Sequence, residues 1–187
     1  MILGLDISTS TVGFCILDNQ KNLVSLDFLN LSKEKQLLEK SECFRKKIIN
    51  ICSSYNIERV LIEENLQAFR PGLSSAKTIV TLARFNGICT YLSAKTFEIE
   101  PEFVNVNAAR KMVGLKIDRK SGKDTKQQVL EFVDKDLGEY PWPTKILRGG
   151  PNRGNEVLVK ECYDMADAYV IAQSAVVQEE HCLEQKE

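Results

Sequence analysis

The sequence predicts an α/β protein with a mixed five-stranded sheet, in which three antiparallel strands are followed by parallel ones and helices cover both faces. Two observations support this fold class. Short β-rich segments come first, and from residue 33 onward segments of helical periodicity alternate with strands. The 187 residues are 43% hydrophobic and 27% charged, which fits one globular domain rather than a fibrous or disordered chain.

The amino-terminal part contains a predicted meander. Residues 2–7, 12–18 and 23–29 are β-rich runs separated by polar clusters, which predicts three consecutive antiparallel strands. Residues 33–54 place apolar side chains at helical spacing among Lys and Glu, so a helix is expected there. Residues 59–64 (RVLIEE) have the pattern of a buried strand that ends in two acids.

The remaining elements follow from the same two periodicities. They are a helix over about 75–95, a strand over 102–106, a short helix near 107–113, a helix over about 125–136 and a final helix over roughly 161–178. Residues 137–160 hold three of the five prolines and four of the ten glycines, so we expect a long loop or small insertion there. We expect a single domain over 1–178 and a polar tail over 179–187.

Composition excludes several classes of protein. The six cysteines form no C-x-x-C pair and the single histidine, His181, lies in the polar tail, so a zinc site is not expected. No segment has the pattern of a signal peptide or membrane span, which predicts a soluble, cytoplasmic protein. The formal net charge of −1 provides no global basic field that would indicate a nucleic-acid partner.

Four acids stand out from their surroundings. Asp6 interrupts the first apolar strand, Glu63 ends the buried strand, and Asp164 and Asp167 share one face of the last helix. Each also has a purely structural interpretation, as a turn cap, a solvated strand end or a pair of favourable helix-dipole partners. If the first and fourth strands are neighbours with the last helix packed across them, these carboxylates converge and need cations to offset their repulsion.

Ligand sets made only of carboxylates select hard divalent ions, Mg²⁺ or Mn²⁺. Two such ions about 3.5 to 4 Å apart can activate water and stabilise the leaving oxygen in phosphoryl displacement. This chemistry requires no histidine or cysteine nucleophile. The sequence also offers no Ser-His-Asp combination, because its only histidine lies in the tail.

Three segments carry a family resemblance: ILGLDISTSTVGFCILD, VLIEE and YDMADAYVIA. In order and spacing they resemble the RNase H-like superfamily, specifically the RuvC-type Holliday-junction resolvases, with a long 137–160 segment more similar to the phage and viral branch. The resemblance implies a homodimeric, Mg²⁺-dependent endonuclease that nicks four-way DNA junctions symmetrically, with two ions per site and Mn²⁺ as a substitute. It implies catalytic and metal-binding roles for Asp6, Glu63, Asp164 and Asp167.

The resemblance extends to NAARKMVG and KDTKQQVLEFV, where Lys126 and Lys111 match phosphate-contacting or catalytic lysines of the family. Ile7 and Ser8 depart from the Pro-Gly found in many members. Glu64 stands where a neutral amide is common, although strand alternation should direct it away from Glu63.

Local charge favours a DNA partner more than the total does. Residues 110–126 carry a local charge of +5. We expect this basic strip to bind phosphates, although such runs are often only a solvated face. The DNA-binding candidates in it, besides Lys126, are Arg110, Lys111, Lys116, Arg119, Lys120 and Lys123.

Two further assignments each have a structural alternative. Phe69, beside Arg70, could stack on an unpaired base or could anchor its loop through hydrophobic packing. The predicted helix over 75–95 could form the dimer interface or could be an ordinary core helix.

Other functions are compatible with parts of the pattern. A nuclease of the same superfamily that cuts flaps, branched DNA or RNA/DNA hybrids is one alternative, and a non-catalytic junction-binding protein is another. The first hairpin also resembles that of actin-like ATPases and sugar kinases. Those proteins need a second lobe, which 187 residues cannot supply.

Overall fold

The structure is a computed structural model that describes residues 1–64 and 76–184, with side chains through residue 177. Strands and helices alternate much as the periodicities predict. The strands are β1 (Ile2–Ile7), β2 (Thr11–Leu17), β3 (Leu23–Asn30), β4 (Arg59–Glu63), β5 (Glu102–Val104), β6 (Thr144–Ile146) and β7 (Glu156–Leu158). The helices are α1 (Leu37–Ser54), α2 (Ala76–Phe97), α3 (Val106–Met112), α4 (Thr125–Leu137) and α5 (Cys162–Glu184).

The main sheet has the strand order β3-β2-β1-β4-β5. The first three strands pair antiparallel, whereas β4 is parallel to both β1 and β5. This arrangement confirms the predicted mixed five-stranded sheet. It also makes β1 and β4 central neighbours, as the convergence of Asp6 and Glu63 requires.

Alternate residues of the central strand pack against different helices. Leu3, Leu5 and Ile7 belong to the core formed with α1 and α2. Ile2 belongs to the opposite core, which contains the buried side chains of α4 and α5. Gly4 permits the close approach of α5, because a Cβ atom there would lie 2.5 Å from the carbonyl oxygen of Ala168. Asp6, two residues further along the strand, therefore faces α5 as well.

Two element boundaries differ from the prediction because of local capping. Helix α1 begins at Leu37 rather than near residue 33, since the Glu39 carboxylate accepts a hydrogen bond from the backbone of Gln36 at 3.0 Å. Strand β5 ends at Val104, because Asn105 accepts hydrogen bonds from two backbone N–H groups of α3 and starts that helix.

The carboxy-terminal part shows two further differences. Residues 137–160, expected as a long loop or small insertion, contain the antiparallel hairpin of β6 and β7. Helix α5 continues to Glu184 and so includes much of the segment expected as a polar tail. No helix within the described residues is long and apolar enough to cross a membrane.

Candidate active site

Strands β1 and β4 bring the first two acids together. The parallel register pairs Leu5 with Ile62, so Asp6 and Glu63 occupy adjacent positions at the same edge of the sheet. Their carboxyl groups lie within hydrogen-bonding reach of each other. Helix α5 packs across this edge and adds Asp164 and Asp167 from its first two turns.

The environment of Asp6 opposes its ionisation. Asp6 is only 8% exposed, and this burial raises the pKa of its carboxyl group well above the ordinary value. The negative charges of Glu63, Asp167 and Asp164 raise that pKa further. Burial likewise raises the pKa of Glu63. The other three predicted acids therefore all act electrostatically on Asp6.

Arg110 forms an ion pair with Asp167, the more deeply buried of the two acids of α5. Its guanidinium Nη2 donates to Asp167 Oδ1 at 2.8 Å, and the two side chains are 14% and 8% exposed. The Nε atom of Arg110 is buried and has no hydrogen-bond partner among the described residues. Arg110, which the sequence placed in the DNA-binding strip, thus lies within the carboxylate cluster.

Lys126 approaches the cluster from the first turn of α4. Its Nζ lies 3.3 Å from Asp164 Oδ1, and the lysine side chain is 56% exposed. Burial alone would lower the pKa of Lys126, but the charges of Asp164, Asp6 and Asp167 raise it above the ordinary value. Burial raises the pKa of Asp164, and the neighbouring ammonium group opposes that effect. Lys126 therefore remains a cation at the open side of the site.

Sequence reasoning missed Glu161 as part of this environment. It is buried, and its Oε1 accepts a hydrogen bond from Asn30 Nδ2 at 2.5 Å. Its charge contributes to the raised pKa of Asp164. The spacing of three residues from Asp164 was the available signal, since it places both acids on one side of a helix start.

The donor chemistry of the cluster fits a hard divalent cation. Side chains in the described parts form no ready group of three or more Asp, Glu, His or Cys metal ligands. In the structure the carboxyl groups of Asp6 and Glu63 face each other, while Asp164 and Asp167 accept hydrogen bonds from Lys126 and Arg110. Four carboxylates with strong mutual repulsion and no soft ligand nevertheless match the preferences of Mg²⁺ or Mn²⁺.

The basic strip runs along α3, the following loop and the start of α4, and its first and last cations, Arg110 and Lys126, contact the cluster. Its remaining cations are all exposed, and Lys123 is paired with Glu131 at 2.7 Å. The strip, without Arg110 and Lys126, consists of Lys111, Lys116, Arg119, Lys120 and Lys123. Phe69 and Arg70, the two candidates for contacts at the crossover, lie outside the described residues.

The strand order and the packing of α5 across β1 define the RNase H-like α/β fold of the RuvC type. Thermus thermophilus RuvC in complex with a Holliday junction substrate superposes with a TM-score of 0.65 at 13% identity, covering 96% of this chain and 94% of that one. A second Thermus thermophilus RuvC structure has a TM-score of 0.59 at 14% identity, covering 96% of this chain and 95% of that one. The yeast mitochondrial Holliday junction resolvase Ydc2 has a TM-score of 0.55 at 14% identity, covering 99% of this chain and 83% of that one.

The similarity is confined to three-dimensional structure. No protein-family model matches the sequence, and no curated protein matches it either. The resemblance noted in the three sequence motifs is thus confirmed at the level of the fold, and its association with the phage branch stays a prediction.

Proposed function

We propose that this protein is a structure-specific endonuclease that resolves four-way DNA junctions by paired symmetric nicks. The observation that carries the proposal is the gathering of Asp6, Glu63, Asp164 and Asp167 from β1, β4 and α5 at one edge of the sheet. The fold similarity to two junction resolvases over nearly the whole chain supports the same substrate class.

In this proposal the four carboxylates hold two Mg²⁺ ions, for which Mn²⁺ can substitute. Bound there, the ions would supply an activated water and charge stabilisation at the leaving oxygen. The raised pKa values of Asp6, Glu63 and Asp164 support this assignment, because a bound cation would offset the burial and the repulsion that now favour their protonated forms.

The two cations of the site have separate roles. Lys126 is more than half exposed and remains protonated, so it can contact a phosphate oxygen and stabilise charge that develops on it. Arg110 is buried against Asp167 and orients that carboxylate rather than reaching DNA. We therefore assign Lys126 to catalysis and Arg110 to positioning.

The basic strip supplies the DNA-binding surface. Lys111, Lys116, Arg119 and Lys120 are exposed in the segment between Arg110 and Lys126, the two cations that contact the carboxylates, and phosphates of the bound arm would neutralise them. Lys123 joins them once its surface ion pair with Glu131 opens, because such exposed pairs contribute little stability. We propose Phe69 and Arg70 as contacts at the crossover, as the family resemblance implies.

A homodimer would match the two-fold symmetry of a four-way junction. Helices α1 and α2 form an open groove of about 640 Å³, and the exposed apolar side chains along it include Leu38 at 76% and Tyr91 at 65%. We propose that a second copy covers this groove. Sedimentation of the wild type and of Tyr91→Asp tests it: a dimer that the substitution converts to monomer supports the interface, and a monomeric wild type contradicts it.

The substrate class is tested by cleavage with Mg²⁺ of a four-way junction, a flap, a replication fork and an RNA/DNA hybrid. The proposal predicts preferential cutting of the junction and its loss in EDTA. Glu100→Gln, which removes an exposed acid remote from the cluster, is the matched control for Asp167→Asn. Preferential cutting of the hybrid or flap would instead assign the protein to another nuclease specificity.

A further inference from the structure

The hairpin formed by β6 and β7 stands outside the main sheet and carries an excess of positive charge. Between residues 144 and 160 the only acid is Glu156, which already accepts a hydrogen bond from the Thr144 hydroxyl. The cations of this segment are all exposed, and none forms an ion pair with a described residue. They are Lys145, Arg148, Arg153 and Lys160.

The base of the hairpin is firmly attached to the helices that carry the site. Trp142 Nε1 donates to Asp134 of α4 at 2.7 Å, and the Trp142 ring packs edge-on against Tyr140 with centroids 4.9 Å apart. Cys162, the first residue of α5, donates its thiol to the Pro143 carbonyl at 3.4 Å. The hairpin therefore leaves the protein next to the helical turn that holds Asp164, in a direction set by packing.

The tip of the hairpin places two arginines on an ordered turn. Leu147 accepts from Gly154 at 2.8 Å and donates to Asn155 at 3.0 Å, which closes the loop over residues 148–153. Gly150 has a φ of +79°, a value that favours glycine. A Cβ atom at that glycine would meet nothing within 4 Å, so its backbone is open to a ligand. Three strand residues place the tip about 10 Å beyond the base.

We propose that this hairpin is an accessory arm that binds the phosphate backbone of a duplex beyond the basic strip. The inference rests on the proposed function for the identity of the polyanion, and it goes further by giving a role to the inserted segment. Arg148 and Arg153 are the principal contacts, because they are the cations at the tip and a guanidinium matches phosphate geometry. The hairpin adds affinity without taking part in bond cleavage.

The test measures binding separately from cleavage. In an Asp6→Asn background, fluorescence anisotropy records the affinity for long-armed and short-armed four-way junctions over a series of salt concentrations. The double variant Arg148→Gln/Arg153→Gln removes both tip charges. Lys46→Gln/Lys95→Gln makes the same change in net charge on exposed residues of α1 and α2, which cover the opposite face of the sheet.

Loss of two phosphate contacts makes the plot of log affinity against log salt less steep by about two, since each contact contributes about 0.9 to the slope. We expect that change for the tip variant on long arms, a smaller one on short arms, and none for the control. A tip variant that matches the control on long arms overturns the inference.

The two proposals fail in different ways. Cleavage of junctions by the wild type, together with an unchanged salt slope in the tip variant, contradicts only the accessory arm. A reduced slope in a protein that cuts no branched DNA supports the arm and contradicts the nuclease proposal. A wild-type protein that binds no DNA contradicts both.

Discussion

The backbone of Asp164 rests directly on Gly13: a Cβ atom at Gly13 would lie 2.1 Å from the Asp164 carbonyl oxygen. Gly13 is also the antiparallel partner of Asp6. One glycine thus sets how closely α5 approaches the two strands, and with it the separation between the acid of β1 and the acids of the helix. Gly4 permits the same close approach one turn further along α5.

Gly13→Ala tests this contact. The methyl group meets backbone atoms that cannot rotate away, so α5 must shift, and we expect a loss of about 1–3 kcal/mol in the free energy of unfolding. Urea denaturation measures it. Gly87→Ala is the control, because a Cβ atom there meets nothing and alanine should raise helix stability by about 0.5–1 kcal/mol. Equal effects of the two substitutions would contradict the proposed role of Gly13.

The buried ion pair between Arg110 and Asp167 predicts a large effect of Arg110→Ala. Removal of the guanidinium leaves a carboxylate that is almost inaccessible to solvent without its partner, which costs about 3–5 kcal/mol. Arg45→Ala, which breaks the exposed pair with Glu42, should cost about 0–1 kcal/mol. Adding Asp167→Asn to Arg110→Ala should restore much of the loss, and the absence of such coupling in denaturation experiments would contradict the pair.

Burial and charge repulsion in the cluster predict that the effect of Asp6→Asn on stability depends on pH. Burial and the neighbouring acids raise the pKa of Asp6 in the folded state, so the folded protein binds more protons than the unfolded chain. The stability of the metal-free protein therefore falls as pH rises from the unfolded pKa toward the raised one. Asp6→Asn removes this loss.

The measurement is the melting temperature of both proteins in EDTA across a pH series. We expect the variant to match the wild type in acid and to exceed it by a few degrees at neutral pH, where about 1 kcal/mol corresponds to roughly 2–4 °C. Added Mg²⁺ should then stabilise the wild type and not the variant. A wild type that is more stable than the variant in EDTA at neutral pH would show that burial and the neighbouring acids do not destabilise ionised Asp6.

Lys126→Ala tests the catalytic lysine. Loss of a cation that faces developing charge should lower the single-turnover cleavage rate by about 100-fold or more. Lys135→Ala is the matched control on the same helix, because Lys135 is exposed in the last turn of α4 and belongs to neither the cluster nor the basic strip. At saturating protein, only Lys126→Ala should be slow. Equal rates for the two variants would remove Lys126 from the mechanism.

The sequence predicted the acids better than their partners, and the reason is physical. Asp6 and Glu63 interrupt apolar strands, which is a local signal, and Asp164 and Asp167 share a helix face by periodicity alone. Arg110 and Lys111 are adjacent in a short helix, and only tertiary packing decides that the first turns inward to Asp167. The β6 and β7 hairpin escaped prediction because three-residue strands carry too little alternation.

The most direct test of the account maps the nicks in a labelled four-way junction with Mg²⁺, comparing wild type with Asp167→Asn and Glu100→Gln. We predict paired nicks at symmetric positions in two opposed strands for the wild type and Glu100→Gln, and none for Asp167→Asn. Cleavage by Asp167→Asn at the wild-type rate, or no cleavage of the junction by the wild type, would contradict the proposed nuclease site.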